Sequence, residues 1–426
     1  DYELETGTKN PLVNMLDYNI DAIKINDICV LSNGDIVASI RGDNWYIDEM
    51  ILLKANADGA ELNTSNKSDK KVIALSAIEI NYWLSAYITD FNKKNDEYKI
   101  EAKSYLQNGD YEAAINQFST DLTSGNIPDL ILLNDAMPIN SYINKGIFAD
   151  INSYMNNDDG FNKSDYLANA FEACELDGKL FMMFPMFNIF TVEAKVSELN
   201  GKTNWTLDEF SDYLDKNPNA EYIISDMTRE SFITRMTQML FVNPFTGELN
   251  FDREAFEKLI KISERFPLHS LDENTDFMSL YSNAENGDPL LIYNPILRDF
   301  SSIKISEVVY FGEEISYIGF PSENGLGSYI NPCGKFAIPN NAANGDGAWE
   351  FLKFMLDNYN DLYRLYLPLK LSELDKMAKD ATENNEDLNI VINLGDTSSD
   401  IKIGNNTQEN NKIIMDLITN VDSLMP

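Results

Sequence analysis

The amino-acid sequence predicts an α/β protein, with a doubly wound lobe following a small β-rich head. Three observations predict it. Up to about residue 68, short apolar stretches alternate with turn residues at β spacing. From Lys71 to Leu133, apolar runs of strand length alternate with stripes at helical spacing. At Gly125 a helical stripe stops, and a Pro128-Asp129 turn leads into the fully apolar Leu130-Ile131-Leu132-Leu133, as expected of a buried parallel strand.

Each element follows from its residues. In the head, Ile28 to Leu31 and Ile36 to Ala38 flank Asn33-Gly34, a strong hairpin signal, and Met50 to Leu53 supplies a third stretch. The pattern resembles one blade of a β-propeller, either the end of a larger β region or a small appended unit. Asn63 to Lys71 is polar and reads as a linker. Val72 to Ile78 is a strand. Ile80, Trp83, Leu84, Tyr87, Ile88 and Phe91 mark a helix, and Tyr98 to Ala102 a second strand. Tyr111, Ala114, Ile115, Phe118 and Leu122 mark a second helix, before the Leu130–Leu133 strand. This is β-α-β-α-β, the opening of a doubly wound sheet.

Farther on, Thr206-Leu207-Asp208-Glu209 is a capping box ahead of Phe210 and Leu214. Phe277, Leu280, Tyr281 and Ala284 form a stripe that stops at Gly287, and Pro289 to Tyr293 reads as a strand. Lys335 to Pro339 is a strand and Asp346 to Leu356 a helix. Ile414, Leu417, Ile418, Val421 and Leu424 mark the last helix.

With 426 residues the chain is long enough for two or three domains. Lys and Arg number 33 against 69 Asp and Glu, a net charge of −36, which argues against nucleic acid and anionic membrane surfaces as partners. The acids are spread along the chain as a solvated surface. Cys29, Cys174 and Cys333 fit no zinc spacing and are expected to be free, buried thiols. His269 is the single histidine, so a histidine-rich metal site is excluded. The apolar run Leu180 to Phe190 is too short to span a membrane. The chain starts at Asp1 without a signal-peptide pattern, so such a leader is expected to have been removed or left out.

Four segments carry a family resemblance. They are the Gly-x-x-Pro-Asp turn and strand from Gly125 to Asp135, and Asp177-Gly178-Lys179-Leu180-Phe181 running to Pro185. Then come Trp205-Thr206-Leu207-Asp208-Glu209-Phe210, and finally Gly334-Lys335-Phe336-Ala337-Ile338 with Ala348-Trp349-Glu350-Phe351-Leu352. In this order they resemble the extracellular solute-binding proteins of bacterial ABC importers, carbohydrate-binding group. The resemblance implies two doubly wound α/β lobes joined by a hinge, a type II periplasmic-binding-protein-like fold, here with the N-terminal β-rich extension. It implies crossings near 183–187, 325–332 and 390–400, and a solute trapped between closing lobes. The expected domains are 1–68 for the head, 70–184 with 333–390 for one lobe, and 185–332 with 395–426 for the other. The implied partners are a small solute, expected to be an oligosaccharide, and a membrane permease. A monomer is expected, extracellular or at the cell surface and lipid-anchored through an upstream segment. Thr191-Val192-Glu193 departs from the Tyr-Asn-Lys that the family usually carries after its first crossing.

Sugar sites combine aromatic faces with a few polar side chains, and in open sheets they sit at strand carboxyl ends. The candidates are therefore Glu79, Asn81 and Tyr82 after the first strand, and Asn134 and Asp135 after the third. Phe187 stands at the first crossing, Arg229 and Phe232 after Tyr222–Ile224, Tyr293 and Asn294 at a strand end, and Tyr329 and Asn331 at the second crossing. Asp135 has an alternative reading as a helix cap. Trp83, Trp205 and Trp349 are assigned to the core, and nothing places Trp45 near a cleft. Ile296 stands where sugar-binding relatives often have an aromatic.

No catalytic residue, metal or cofactor is expected. His269 has no nucleophile-elbow serine nearby, and no glycine-rich dinucleotide or phosphate loop is present. In the acidic run Asn156 to Gly160, calcium-loop spacing would put Met155 and Tyr166 at ligand positions. A carbohydrate-active enzyme, or an interaction protein using the β head, are the alternatives. For glycoside cleavage no carboxylate pair stands out.

Overall fold

A computed structural model describes residues 24–41, 47–54, 70–106, 109–220, 222–243, 247–269, 289–323, 327–359, 366–383, 389–394 and 397–425. It adds short pieces at 2–3, 8–9, 15–18, 20–21 and 325. Trp45 and the 277–287 stripe lie outside these residues. In chain order the main elements begin with β1 (Ile25–Val30), β2 (Ile36–Arg41), β3 (Ile47–Leu53), β4 (Lys71–Ala77), α1 (Tyr82–Lys94), β5 (Tyr98–Ser104), α2 (Tyr111–Thr123) and β6 (Leu130–Leu133). They continue with β7 (Met186–Lys195), α3 (Leu207–Lys216), α4 (Arg229–Phe241), α5 (Arg253–Ser263), β8 (Ile292–Leu297), β9 (Ile315–Tyr317), β10 (Tyr329–Cys333), β11 (Lys335–Ala337), α6 (Gly345–Asp357), β12 (Leu367–Pro368) and α7 (Gln408–Asn420).

The chain divides into two compact units. Unit 1 holds Asp1–Pro138, Gly146–Ala149 and Phe336–Met355; unit 2 holds Ile139–Lys145, Asp150–Lys335 and Leu356–Pro426. Residues 150–184, expected with the first lobe, thus count with unit 2. The Ala168–Glu172 helix explains this. Asn169 Nδ2 donates to the carbonyls of Ile418 (2.8 Å) and Val421 (2.6 Å), and Leu167 N–H to the Leu369 carbonyl (2.9 Å).

In unit 1, β4 lies between β5 and β6 and is parallel to both, in the order β11-β6-β4-β5. The Pro-Asp turn is a joint in this sheet. Asp129 is buried, and its Oδ2 accepts the Ala74 N–H (2.9 Å) while Oδ1 accepts the Asn344 N–H (2.7 Å). Gly125 takes φ +94°, a value that favours glycine at the end of α2. Trp83 packs edge-on against Tyr87 and Phe336, and Phe91 against Phe351 and Phe354, so the assigned core tryptophans Trp83 and Trp349 are core.

The head is the antiparallel meander β1-β2-β3, with Val30 opposite Ile36 across the Asn-Gly turn. Cys29 is exposed, against expectation, because β1 is an edge strand whose last four residues face solvent. Cys174 and Cys333 are buried, and all three thiols are free.

Unit 2 is organised around β7, the ten-residue strand that pairs antiparallel with β8, β9, β10 and β12. A parallel bridge joins Ile224 to Leu291. The capping box forms as expected at α3: Glu209 N–H bonds Thr206 Oγ1 (3.2 Å) and Thr206 N–H bonds Glu209 Oε2 (3.0 Å). Trp205 is buried beside it, its indole N–H donating to the Gly319 carbonyl (3.0 Å). Gly327 has φ +63°, and a Cβ there would lie 1.8 Å from the Phe320 carbonyl oxygen. Among the described residues, no helix is long and apolar enough to cross a membrane.

Candidate functional site

In unit 1, five candidates stand at one sheet edge. Ala77 is in register with Leu132 on parallel strands, and Glu79 and Asn134 each follow two residues later. Asn81 caps α1, its Oδ1 accepting the Leu84 N–H (3.2 Å). Tyr82 begins that helix and is 41% exposed. Glu79 accepts a hydrogen bond from the Tyr111 hydroxyl (2.5 Å). Asn134 Oδ1 accepts the Ala136 N–H (3.0 Å), closing a local turn that presents Asp135 to solvent. The helix-cap reading of Asp135 fails, because the next helix starts only at Ile139.

In unit 2, two candidates are core side chains. Phe187 and Phe232 are 0% exposed. Phe187 lies on β7, which has neighbours on both edges, and Phe232 stacks on Phe266 at 4.1 Å inside the main core. Neither offers surface to a solute. Arg229 is held by an ion pair to Glu264 (3.5 Å). Asn294 Nδ2 donates to Glu193 Oε1 (2.7 Å), and Asn331 Nδ2 to Asn188 Oδ1 (3.0 Å). Glu193 is fully buried in β7, and burial pushes its carboxyl up to about 7.

Around Tyr293 the structure assembles a group that the sequence reading did not single out. Arg235, on α4, lies over the Tyr293 ring at 4.8 Å and beside Phe190 at 5.9 Å. Phe190 and Phe320 meet Tyr293 edge-on at 6.3 and 5.7 Å. The signal in the sequence is Arg235 itself, three residues past Phe232 on the same helix. It is one of only seven arginines in a strongly acidic chain.

Tyr329 lines a cavity of about 540 Å³ within unit 2, together with Met239, Phe241, Asn250, Asp252, Glu323 and Asp422. The charged groups in that lining are all acidic. Burial, and secondarily the charge of Asp422, raise the Tyr329 hydroxyl to about 12. Among the described residues, no cluster of three or more His, Cys, Asp or Glu is disposed to hold a metal.

Comparison with known proteins places this geometry. The family model for bacterial extracellular solute-binding proteins matches residues 86–368, well over half of the chain. The protein is a bacterial extracellular solute-binding protein. Three of the four sequence marks supply structural supports: Asp129 ties the sheet, Trp205 and Trp349 fill cores, and Thr206 starts a helix. No curated protein sequence matches the chain. Among solved structures, a family 1 extracellular solute-binding protein from Alicyclobacillus acidocaldarius aligns with TM-score 0.51 at 13% identity, covering 85% of this chain and 89% of that one. At that identity the likeness speaks for the fold, the type II periplasmic-binding-protein-like fold. The sugar-binding protein MalE of Xanthomonas citri aligns with TM-score 0.49 at 14% identity, covering 73% and 82%. The galacto-N-biose/lacto-N-biose I-binding protein of Bifidobacterium longum aligns with TM-score 0.42 at 15% identity, covering 72% and 80%.

Proposed function

We propose that this solute-binding protein captures a sugar or oligosaccharide outside the cytoplasm and hands it to the permease of an ABC importer. It acts as a monomer, held at the surface by a lipid anchor, and performs no covalent chemistry. Membership of the extracellular solute-binding family supports solute capture. The observation that carries the sugar reading is the Tyr293 group, where aromatic rings meet a guanidinium close to the strands β7, β8 and β10, each of which carries one asparagine. Aromatic surface with a few placed polar groups is the chemistry that holds a saccharide.

A thermal-shift and calorimetry screen against mono-, di- and trisaccharides, amino acids and short peptides tests the reading. A saccharide at a hundred times its dissociation constant adds about 2.7 kcal/mol to stability. Binding confined to amino acids or peptides would overturn the reading, as would turnover of a glycoside.

A further inference from the structure

Among the described residues, Arg235 is a guanidinium without a counterion, in a chain of net charge −36. Four of the other described arginines are engaged. Arg41 bonds Asn26, Arg229 pairs with Glu264, Arg253 pairs with Glu257, and Arg265 donates to the Leu214 and Asn217 carbonyls. Arg298, just past β8, has neither an ion pair nor an aromatic ring against it among the described residues. Arg235 has no hydrogen bond or ion pair among the described residues; its contacts are the rings of Tyr293 and Phe190. Its Nε is enclosed and has no acceptor, whereas its terminal nitrogens are not shut in.

This arrangement runs against the chain's own composition. With 69 acidic residues, a carboxylate for a surface arginine is easy to supply, and none of the described ones pairs with Arg235. A half-buried cation left without an anion is unfavourable unless a partner arrives. The Tyr293 ring at 4.8 Å and the Phe190 ring at 5.9 Å flank the guanidinium, so its Nη fork has fewer orientations to give up when a ligand comes. Such a fork fits a planar carboxylate, or the oxygens of a sulfate, through two parallel hydrogen bonds. The Tyr293 hydroxyl, which also lacks a hydrogen bond among the described residues, is a second donor beside it.

We infer that the solute is an anionic saccharide, a sugar bearing a carboxylate or sulfate group, and that Arg235 stacked on Tyr293 is the residue that selects it. This inference rests on the sugar-capture reading above. Calorimetry with the purified chain tests it, using uronate-containing disaccharides, sulfated disaccharides, and neutral disaccharides of the same linkages. The expected result is that one anionic class binds at least about tenfold more tightly than its neutral twin. Arg235→Gln should then weaken that class by about ten- to a hundredfold and weaken the neutral twin much less, so that the anionic preference collapses. Arg235→Lys keeps the charge but loses the fork, and should recover only part of the preference. The uronate and sulfate arms tell which anion is meant. Neutral sugars binding as tightly as their anionic twins, with Arg235→Gln silent, would overturn the inference and leave sugar capture standing. Binding of no saccharide in any arm would overturn both. Circular dichroism and urea unfolding of each variant separate lost recognition from lost folding.

Discussion

Replacing Glu193 by glutamine should change how stability depends on pH, and the size of the change follows from the site. Glu193 stands mid-strand in β7, opposite Ile292 on one side and Tyr317 on the other. Its Oε1 receives the Asn294 amide, while its Oε2 is buried with no partner. Burial raises the carboxyl from 4.5 to about 7, against a smaller opposing pull from hydrogen bonds of Ser306 and Asn294. Between those two values the folded chain holds a proton that the unfolded chain has released. Folding is therefore favoured at the acid end of the window and loses stability as pH rises through about 7. The full displacement is worth about 3 kcal/mol. Glu193→Gln keeps the acceptor for Asn294 and carries no charge at any pH. Urea unfolding followed by circular dichroism at pH 5.5 and at pH 8.5 measures the difference between the two proteins. The variant should gain about 2 kcal/mol on the wild type between these conditions, because about two fifths of the penalty is already present at the lower pH. Comparing the two chains cancels the titration of the other acidic groups. A difference that stays flat with pH would refute the reasoning, and one of opposite sign would mean that the carboxylate is stabilised in the fold.

Two further substitutions probe the supports of the units. Asp129→Ala removes the acceptor for two backbone N–H groups at 2.7 and 2.9 Å in a buried turn, and should cost about 3 kcal/mol in denaturant unfolding, with Asp129→Asn intermediate. Phe232→Ala should cost about 3–5 kcal/mol, because the ring is fully buried and stacked on Phe266, while Tyr82→Ala at an exposed helix start should change stability little; equal losses for both would contradict the burial difference.

Unit 1 was the part most readable in the sequence. Its strands are short apolar runs and its helices carry one-sided stripes, so period and burial agree, and the order β-α-β-α-β emerges directly. The capping box at Thr206 and the place of Trp83 on the apolar stripe of its helix were equally visible, because each is a pattern of near neighbours in the chain. What could not be read were positions set by distant partners. Asp129 looks like a turn residue until Asn344 arrives beside it. Phe187 sits on a strand with neighbours on both edges, so no alternation marks which residues reach solvent. Phe232 belongs to a helical stripe with Met236, and that spacing already argued for the core. Cys29 is apolar enough to suggest burial, but an edge strand leaves it outside. Arg235 acquires meaning only when β8 brings Tyr293 under it.

The buried indoles also give the molecule separate optical reporters. Trp83 and Trp349 belong to unit 1 and Trp205 to unit 2, each 3% exposed. An indole in apolar surroundings emits at shorter wavelength than one in water, so each should shift to the red when its own unit opens. Trp205 also donates its N–H to the Gly319 carbonyl, and Phe320 amide and carbonyl groups lie against Gly327. Its emission is therefore tied to the segment leading into β10. Variants that keep a single tryptophan would show whether the two units melt together or one at a time, without any added label.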